Sequence, residues 1–175
     1  MEPCIPHEIT ADASHPARPR ARLRVVLSSV SSDAHTWNLV FLQLLLEFMG
    51  HEVRNLGACT PDELIVETCA AERPDLLVIS SVNGHGNIDG ERMIRKLRAD
   101  PRLCDLPVAI GGKLGIVGAD NVQHVERLLG AGFTAVFEAS SSGGLFTQGD
   151  APGQFETFVD RLSARVGRPQ EAEVA

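Results

Sequence analysis

The sequence predicts a doubly wound α/β domain built on a five-stranded parallel sheet, and three observations predict it. Five short runs rich in Val, Leu and Ile alternate with five stretches of helical periodicity. Strict alternation of strand and helix builds a parallel sheet with helices on both faces. The first strand run, Leu23–Ser29, is β-branched and apolar, as in a strand buried on both faces. The chain also has 175 residues, which suits one domain with a sizeable core and not two.

Each element follows in order. Leu23–Ser29 is a β-branched run read as the first strand. Trp37–Met49 is a long apolar helix, with Gly50 placed to end it. Glu52–Leu56 is the second strand. Thr60-Pro61-Asp62-Glu63 reads as a helix start, with Thr60 as N-cap, Pro61 at the first helical position and Glu63 completing a capping box. That helix runs to about Glu72, just before Pro74. Asp75–Ser81 is the third strand and Ile88–Asp100 an amphipathic helix. Leu106–Ile110 is the fourth strand, Asn121–Leu129 a helix, Thr134–Phe137 the fifth strand, and Gln154–Val166 the closing helix. The expected arrangement is flavodoxin-like, with strand order 2-1-3-4-5. Residues 22–166 form the expected domain. The proline-bearing residues 1–21 and the stretch 167–175 read as flexible tails.

Composition excludes several function classes. Net charge is −7 and only two lysines, Lys96 and Lys113, occur among 16 basic residues. Nucleic-acid binding needs clustered Lys and Arg, so no nucleic-acid partner is expected. The most apolar run, Leu39 to Met49, is too short to span a bilayer and is interrupted by Gln43 and Glu47. Neither a membrane span nor a secretory leader is expected. Cys4, Cys59, Cys69 and Cys104 show no CxxC spacing, so neither a disulfide framework nor a zinc site is expected. A reducing cytoplasm fits that pattern.

Folds of this class bind ligands beyond the carboxyl ends of the strands, where the strand order reverses. The segments that follow the strands are rich in Ser, Gly, His and Asn: Val30–Asn38, Ser80–Gly90, Gly111–Lys113 and Glu138–Gly144. A phosphorylated receiver domain would need an acidic pair after strand 1, an Asp after strand 3 and a Lys after strand 5. Here strand 3 ends in Ser80-Ser81 and no Lys follows Lys113. A phosphate-binding GxxxxGK[ST] loop fails because Leu114 follows Lys113 and Pro107 holds the required glycine position. A dinucleotide-binding GxGxxG fails because no glycine lies between Arg24 and Gly50.

Asp33-x-His35 is the sharpest feature. A metal-binding histidine usually hands its other ring N–H to a carboxylate, which fixes the tautomer. One His with one Asp cannot close a zinc site, which takes three or four protein ligands. The pair suits a metal already held by a macrocycle and lacking one axial ligand. The competing reading is an Asp N-cap beside an exposed His. His85 and His124 lack a carboxylate two residues upstream and read as surface residues.

The combination resembles the cobalamin-binding domains that take the cofactor with its dimethylbenzimidazole base detached and a protein histidine on cobalt. Their signature is Asp-x-His-x-x-Gly after strand 1, Ser-x-Leu after strand 3 and Gly-Gly after strand 4. The matching residues are Asp33, His35, Ser80 and Gly111-Gly112. Within that family the chain is most similar to small (sigma) subunits of the glutamate mutase type. The likeness covers about residues 22 to 142, through SSDAHTWN, LGACTPDELI, SSVNGHGNIDG, IGGKLGIVG and GFTAVFEASSS. Two positions depart from the signature: its Gly falls at Asn38 and its Leu at Val82. The Asn38 side chain would crowd a nucleotide tail that needs close approach, while Asn tolerates left-handed backbone better than most residues.

The resemblance implies adenosylcobalamin as cofactor, with His35 as the metal ligand and Asp33 as its orienter. It implies a cofactor site made of Asp33, His35, Thr36, Trp37, Asn38, Ser80, Val82, Asn83, Gly84, Gly86, Gly111, Gly112 and Ser140. Ser80 would offer its hydroxyl to a nitrogen of the detached base. Gly111 and Gly112 would let backbone approach the cofactor, or would simply make a tight turn after the strand. Trp37, the only tryptophan, has the bulk of a core residue at the head of an apolar helix, and the same position would set it beside the nucleotide tail. The resemblance further implies an isomerase interconverting L-glutamate and 3-methylaspartate, or a close analogue. A separate barrel-type large subunit would bind the substrate, in a heterotetramer. Two other readings stand beside this one. A corrinoid methyl carrier would bear a helical cap domain before this one, and residues 1–21 are too few for it. An interaction module that kept the fold and lost the cofactor has Asn38 as its support.

Overall fold

The computed structural model describes residues 21–115, 121–138 and 151–167. Five strands run in chain order: β1 (Arg24–Ser29), β2 (Glu52–Asn55), β3 (Leu76–Ser81), β4 (Val108–Gly112) and β5 (Ala135–Glu138). The helices are α1 (Trp37–Phe48), α2 (Asp62–Glu72), α3 (Gly86–Arg98), α4 (Asn121–Ala131) and α5 (Ala151–Val166). All neighbouring strands pair in parallel, in the order β2-β1-β3-β4-β5. That is the predicted order. The expected tail residues 1–20 and 168–175 lie outside the described residues.

Side chains on successive strand residues point to opposite faces, and this splits the core in two. Val26, Leu77, Ile79, Val108 and Ile110 pack under α2, α3 and α4 with Ile65, Cys69, Met93, Ile94, Leu97 and Leu128. Val25, Leu27, Leu76, Val78 and Ala109 face the other way, onto Leu39, Leu42 and Leu46 of α1 and Phe155 and Val159 of α5. Phe155 also meets Phe137 of β5 edge to face, with ring centroids 5.4 Å apart. Helices on both sheet faces leave β3 buried over its whole length.

Local chemistry sets the boundaries. Gly50, at φ +92°, ends α1. The Gly50 N–H donates to the Glu47 carbonyl and the His51 N–H to the Leu46 carbonyl, the pair of bonds that makes a left-handed helix stop. The start of α2 differs from the expected capping box. Pro61 takes the N-cap position without a side-chain cap bond. The Thr60 hydroxyl instead donates backward to the Gly57 carbonyl at 3.0 Å, and Glu63 pairs with Lys96 of α3. Helix α3 begins at Gly86, two residues before its expected start.

Trp37 corrects a second expectation. It is 81% exposed and takes no part in the core. Leu39, Leu42 and Leu46 already fill the inward stripe of α1, so the outer face carries Trp37, Val40, Phe41, Leu44 and Phe48. Among the described residues, no helix is long and apolar enough to cross a membrane.

Candidate functional site

The carboxyl ends of β1, β3 and β4 align in one register. Ser29 pairs with Ser80, and Ser80 with Gly111. The chain turns one way after β1 and the other after β3, and that divergence opens the crevice in which this class of fold binds ligands. The site is built on this edge.

Asp33 organises it. The residue is 1% exposed and its carboxylate spans two loops. Oδ1 accepts from the His35 backbone N–H at 3.0 Å and lies 2.7 Å from His35 Nδ1. Oδ2 accepts from the Val82 N–H at 2.5 Å and the Asn83 N–H at 3.3 Å. Burial works to raise the Asp33 carboxyl, but these contacts outweigh it, with the Val82 N–H foremost, and hold the group below the usual carboxylate range. An ionised carboxylate only accepts, so the neutral His35 ring carries its proton on Nδ1 and its lone pair on Nε2. The His35 side chain is 60% exposed, and Nε2 has no partner among the described residues.

The loop carrying His35 is tied down from below. The Ser29 hydroxyl donates to the Asp33 carbonyl at 3.0 Å. The Cys59 N–H, in the β2–α2 loop, donates to both the Ser29 Oγ and the Asp33 carbonyl. Neither Ser29 nor Cys59 was marked by the sequence reading. The signal for Cys59 is positional: it leads into α2 at a φ of +53°.

The other predicted residues divide into two groups. Thr36 is the exposed N-cap of α1 and makes no side-chain cap bond. Asn38 is the second residue of α1 and half-buried. It is helical and not among the residues at positive φ, so the left-handed tolerance of Asn has no part to play there. Ser80 is 3% exposed, and its hydroxyl makes no hydrogen bond among the described residues. Val82 and Asn83 are half-buried beside Asp33. The Asn83 side chain accepts from the His85 N–H at 2.9 Å, and Gly84 turns the chain at φ +83°.

One glycine expectation changes. Gly111 and Gly112 lie inside β4 and form no turn after it. A Cβ on Gly112, at φ +119°, would stand 2.0 Å from the Ser81 carbonyl oxygen. The sheet itself therefore requires glycine there. Gly86 is packed likewise: a Cβ would come within 2.9 Å of Leu114 Cδ2 and Ser81 Cβ, so Gly86 serves the docking of α3. Ser140 lies outside the described residues. His85 is exposed, as expected, but His124 is half-buried. Its Nδ1 is 3.0 Å from the Asn87 amide nitrogen. Burial pushes up the nearby Glu138 carboxyl, with His124 opposing the shift.

No group of three or more His, Cys, Asp and Glu among the described residues could hold a bare metal ion. The donor set is one oriented imidazole, a buried hydroxyl and a crevice edged by backbone. That set fits a metal whose equatorial positions are already filled by a macrocycle, and it does not fit a free ion.

Comparison with known proteins agrees with the donor set. The B12 binding domain family matches residues 23–134. The glutamate mutase sigma subunit of Halobacterium salinarum is 31% identical over 142 residues, covering 81% of this chain and 86% of that protein. Glutamate mutase sigma subunit 1 of Haloarcula marismortui is 29% identical over 117 residues, covering 67% and 76%. A crystallised cobalamin-binding protein from Desulfitobacterium hafniense DCB-2 superposes with a TM-score of 0.55 at 26% identity, covering 66% of this chain and 52% of that one. The chain thus spans about half the length of that solved structure.

Proposed function

Because the chain belongs to the B12-binding domain family, we propose that it is the cobalamin-binding small subunit of a carbon-skeleton mutase of the glutamate mutase type. The observation that carries this reading is the Asp33–His35 pair at the carboxyl edge of the sheet, whose Nε2 has no partner among the described residues. His35 would hold the cobalt through Nε2, in place of the cofactor's own base. Asp33 holds the Nδ1 proton and so fixes the tautomer and orientation of the ring.

Ser80 supplies its hydroxyl to a ring nitrogen of the detached base, which would otherwise lose a hydrogen bond on burial. Thr36, Trp37 and Asn38 border the tail from the start of α1, while Val82, Asn83 and Gly84 border it from the β3–α3 loop. The resemblance also assigns Ser140, outside the described residues, to this cofactor site. When bound, adenosylcobalamin supplies radical chemistry through its cobalt–carbon bond. This chain's share of the work is to bind the cofactor, orient it and exclude water from its lower face.

The substrate is L-glutamate or a close analogue, converted to the 3-methylaspartate skeleton. It is bound by a barrel-type large subunit in a heterotetramer that works in the cytoplasm. The sigma-subunit names of the relatives support a separate partner. The reading is tested by combining this chain with a glutamate mutase large subunit and adenosylcobalamin, then following 3-methylaspartate formation from L-glutamate. Turnover that needs all three components supports it. Failure of this chain to retain adenosylcobalamin through gel filtration, with the large subunit present, would contradict it.

A further inference from the structure

Ser31 and Ser32 stand directly before Asp33 and are held from α3. Arg92 donates from Nη2 to the Ser31 hydroxyl at 2.8 Å. It also makes a forked pair with Asp62 at the head of α2, from Nε at 2.7 Å and from Nη2 at 3.2 Å. Its Nη1 pairs with Asp89, one turn back on α3. The other carboxylate oxygen of Asp89 accepts from the Ser32 hydroxyl. The Asn83 side-chain amide then donates to both the carbonyl and the hydroxyl of Ser32, each at 2.9 Å. One guanidinium thus balances two buried carboxylates and spends its remaining contact on the loop.

A staple between α2 and α3 would need Arg92 and Asp62 alone. Here Asp89 turns its free oxygen to Ser32, and Arg92 reaches past Asp62 to Ser31. Charge-assisted bonds of this kind are the stronger ones, and a forked guanidinium fixes direction as well as distance. Beyond Val30, which is buried in the core, the loop offers little apolar surface to hold it, since Ser31 and Ser32 are hydroxyl residues and His35 is exposed. Its order has to come from polar ties.

We propose that Asp89 and Arg92 are positioning residues that pin Ser31 and Ser32 and so set the Asp33–His35 loop in its binding geometry before any cofactor arrives. The purpose of that geometry rests on the corrinoid reading, while the ordering of the loop does not. The Asp89-x-x-Arg92 spacing marks an ion pair along one helix face, but its reach to the β1–α1 loop comes only with the fold.

The test compares the full chain with Arg92→Lys, Asp89→Asn and the Ser31→Ala/Ser32→Ala double variant. The double variant leaves the Arg92–Asp62–Asp89 cluster intact, so it remains informative where the charge variants fold poorly. Amide hydrogen exchange is measured without cofactor at His35 and, as a folding control, at Ile79. Hydroxocobalamin affinity is then measured by absorbance titration. The expected result is about tenfold faster exchange at His35 with Ile79 unchanged, and about tenfold weaker hydroxocobalamin binding. Unchanged His35 exchange in the double variant would overturn the proposal, leaving Asp89 and Arg92 as a helix staple. If the unmodified chain takes up no hydroxocobalamin even with a glutamate mutase large subunit present, the corrinoid reading fails, and the exchange at His35 still decides whether these residues order the loop.

Discussion

The Asp33 Oδ1 and the His35 Nδ1 lie 2.7 Å apart, with the carboxylate buried beneath the loop and the imidazole projecting from it. Every contact made by that carboxylate is with a donor. Asp33→Asn would place an NH2 group against either the His35 donors or the Val82 and Asn83 N–H groups. One side of the bridge must then break. Loss of such an orienting partner typically lowers metal affinity about 10- to 100-fold. A hydroxocobalamin titration of Asp33→Asn should show a loss in that range. Wild-type affinity in the variant would remove Asp33 from the orienting role.

Gly112 should be among the most sensitive positions in the sheet. A side chain there meets the Ser81 carbonyl oxygen, and its φ of +119° is strained for any L-residue. Gly112→Ala should cost about 3 kcal/mol or more. For a domain of this size that lowers Tm by about 6–12 °C. Calorimetry of the variant gives the answer directly, and a change under 2 °C would refute the close-approach account.

Trp37 should behave as a surface residue despite its bulk. At 81% exposure, Trp37→Ala should change unfolding free energy by no more than about 0.5 kcal/mol. A core tryptophan would cost about 3–5 kcal/mol. Urea unfolding separates the two outcomes. Acrylamide should also quench the fluorescence of this sole tryptophan in the native chain nearly as well as in the unfolded one.

Cys69 should be inert where Cys59 and Cys104 react. Burial, and after it the Glu72 carboxylate, push the Cys69 thiol up to about 12. The thiolate is the reactive species, so iodoacetamide at pH 8 should label the exposed Cys59 and Cys104 and spare Cys69, as read by peptide mass mapping. The same shift has a stability consequence. The unfolded thiol loses its proton near pH 8.5 while the native one keeps it, so stability falls as pH rises from about 8.5 toward 12. Cys69→Ala should flatten that fall. Labelling of native Cys69 at the rate of Cys104 would contradict the assignment.

The fold was legible because its signals were redundant. Five strand runs were each followed by a helix pattern, so the topology survived boundary errors of two or three residues. Asp33 and His35 were legible because their chemistry is local, two residues apart. What could not be read was tertiary. Gly111-Gly112 looked like a turn because glycine is disfavoured in strands, yet the approach of the Ser81 carbonyl demands it. Thr60 looked like an N-cap, but its hydroxyl found a partner in the preceding loop. Trp37 looked like core because bulk is apparent in a sequence and helix rotation is not. Asp89 and Arg92 gave no sign that they reach the loop carrying His35.

The central claim is that His35 is the axial ligand of a corrinoid. The most direct measurement is electron paramagnetic resonance of cob(II)alamin added to the full chain, with and without 15N-labelled histidine. The account predicts cobalt hyperfine lines split by a single histidine nitrogen, altered by the label and abolished in His35→Ala. Persistence of histidine coupling in His35→Ala, or coupling to the cofactor's own base in the unmodified chain, would contradict it.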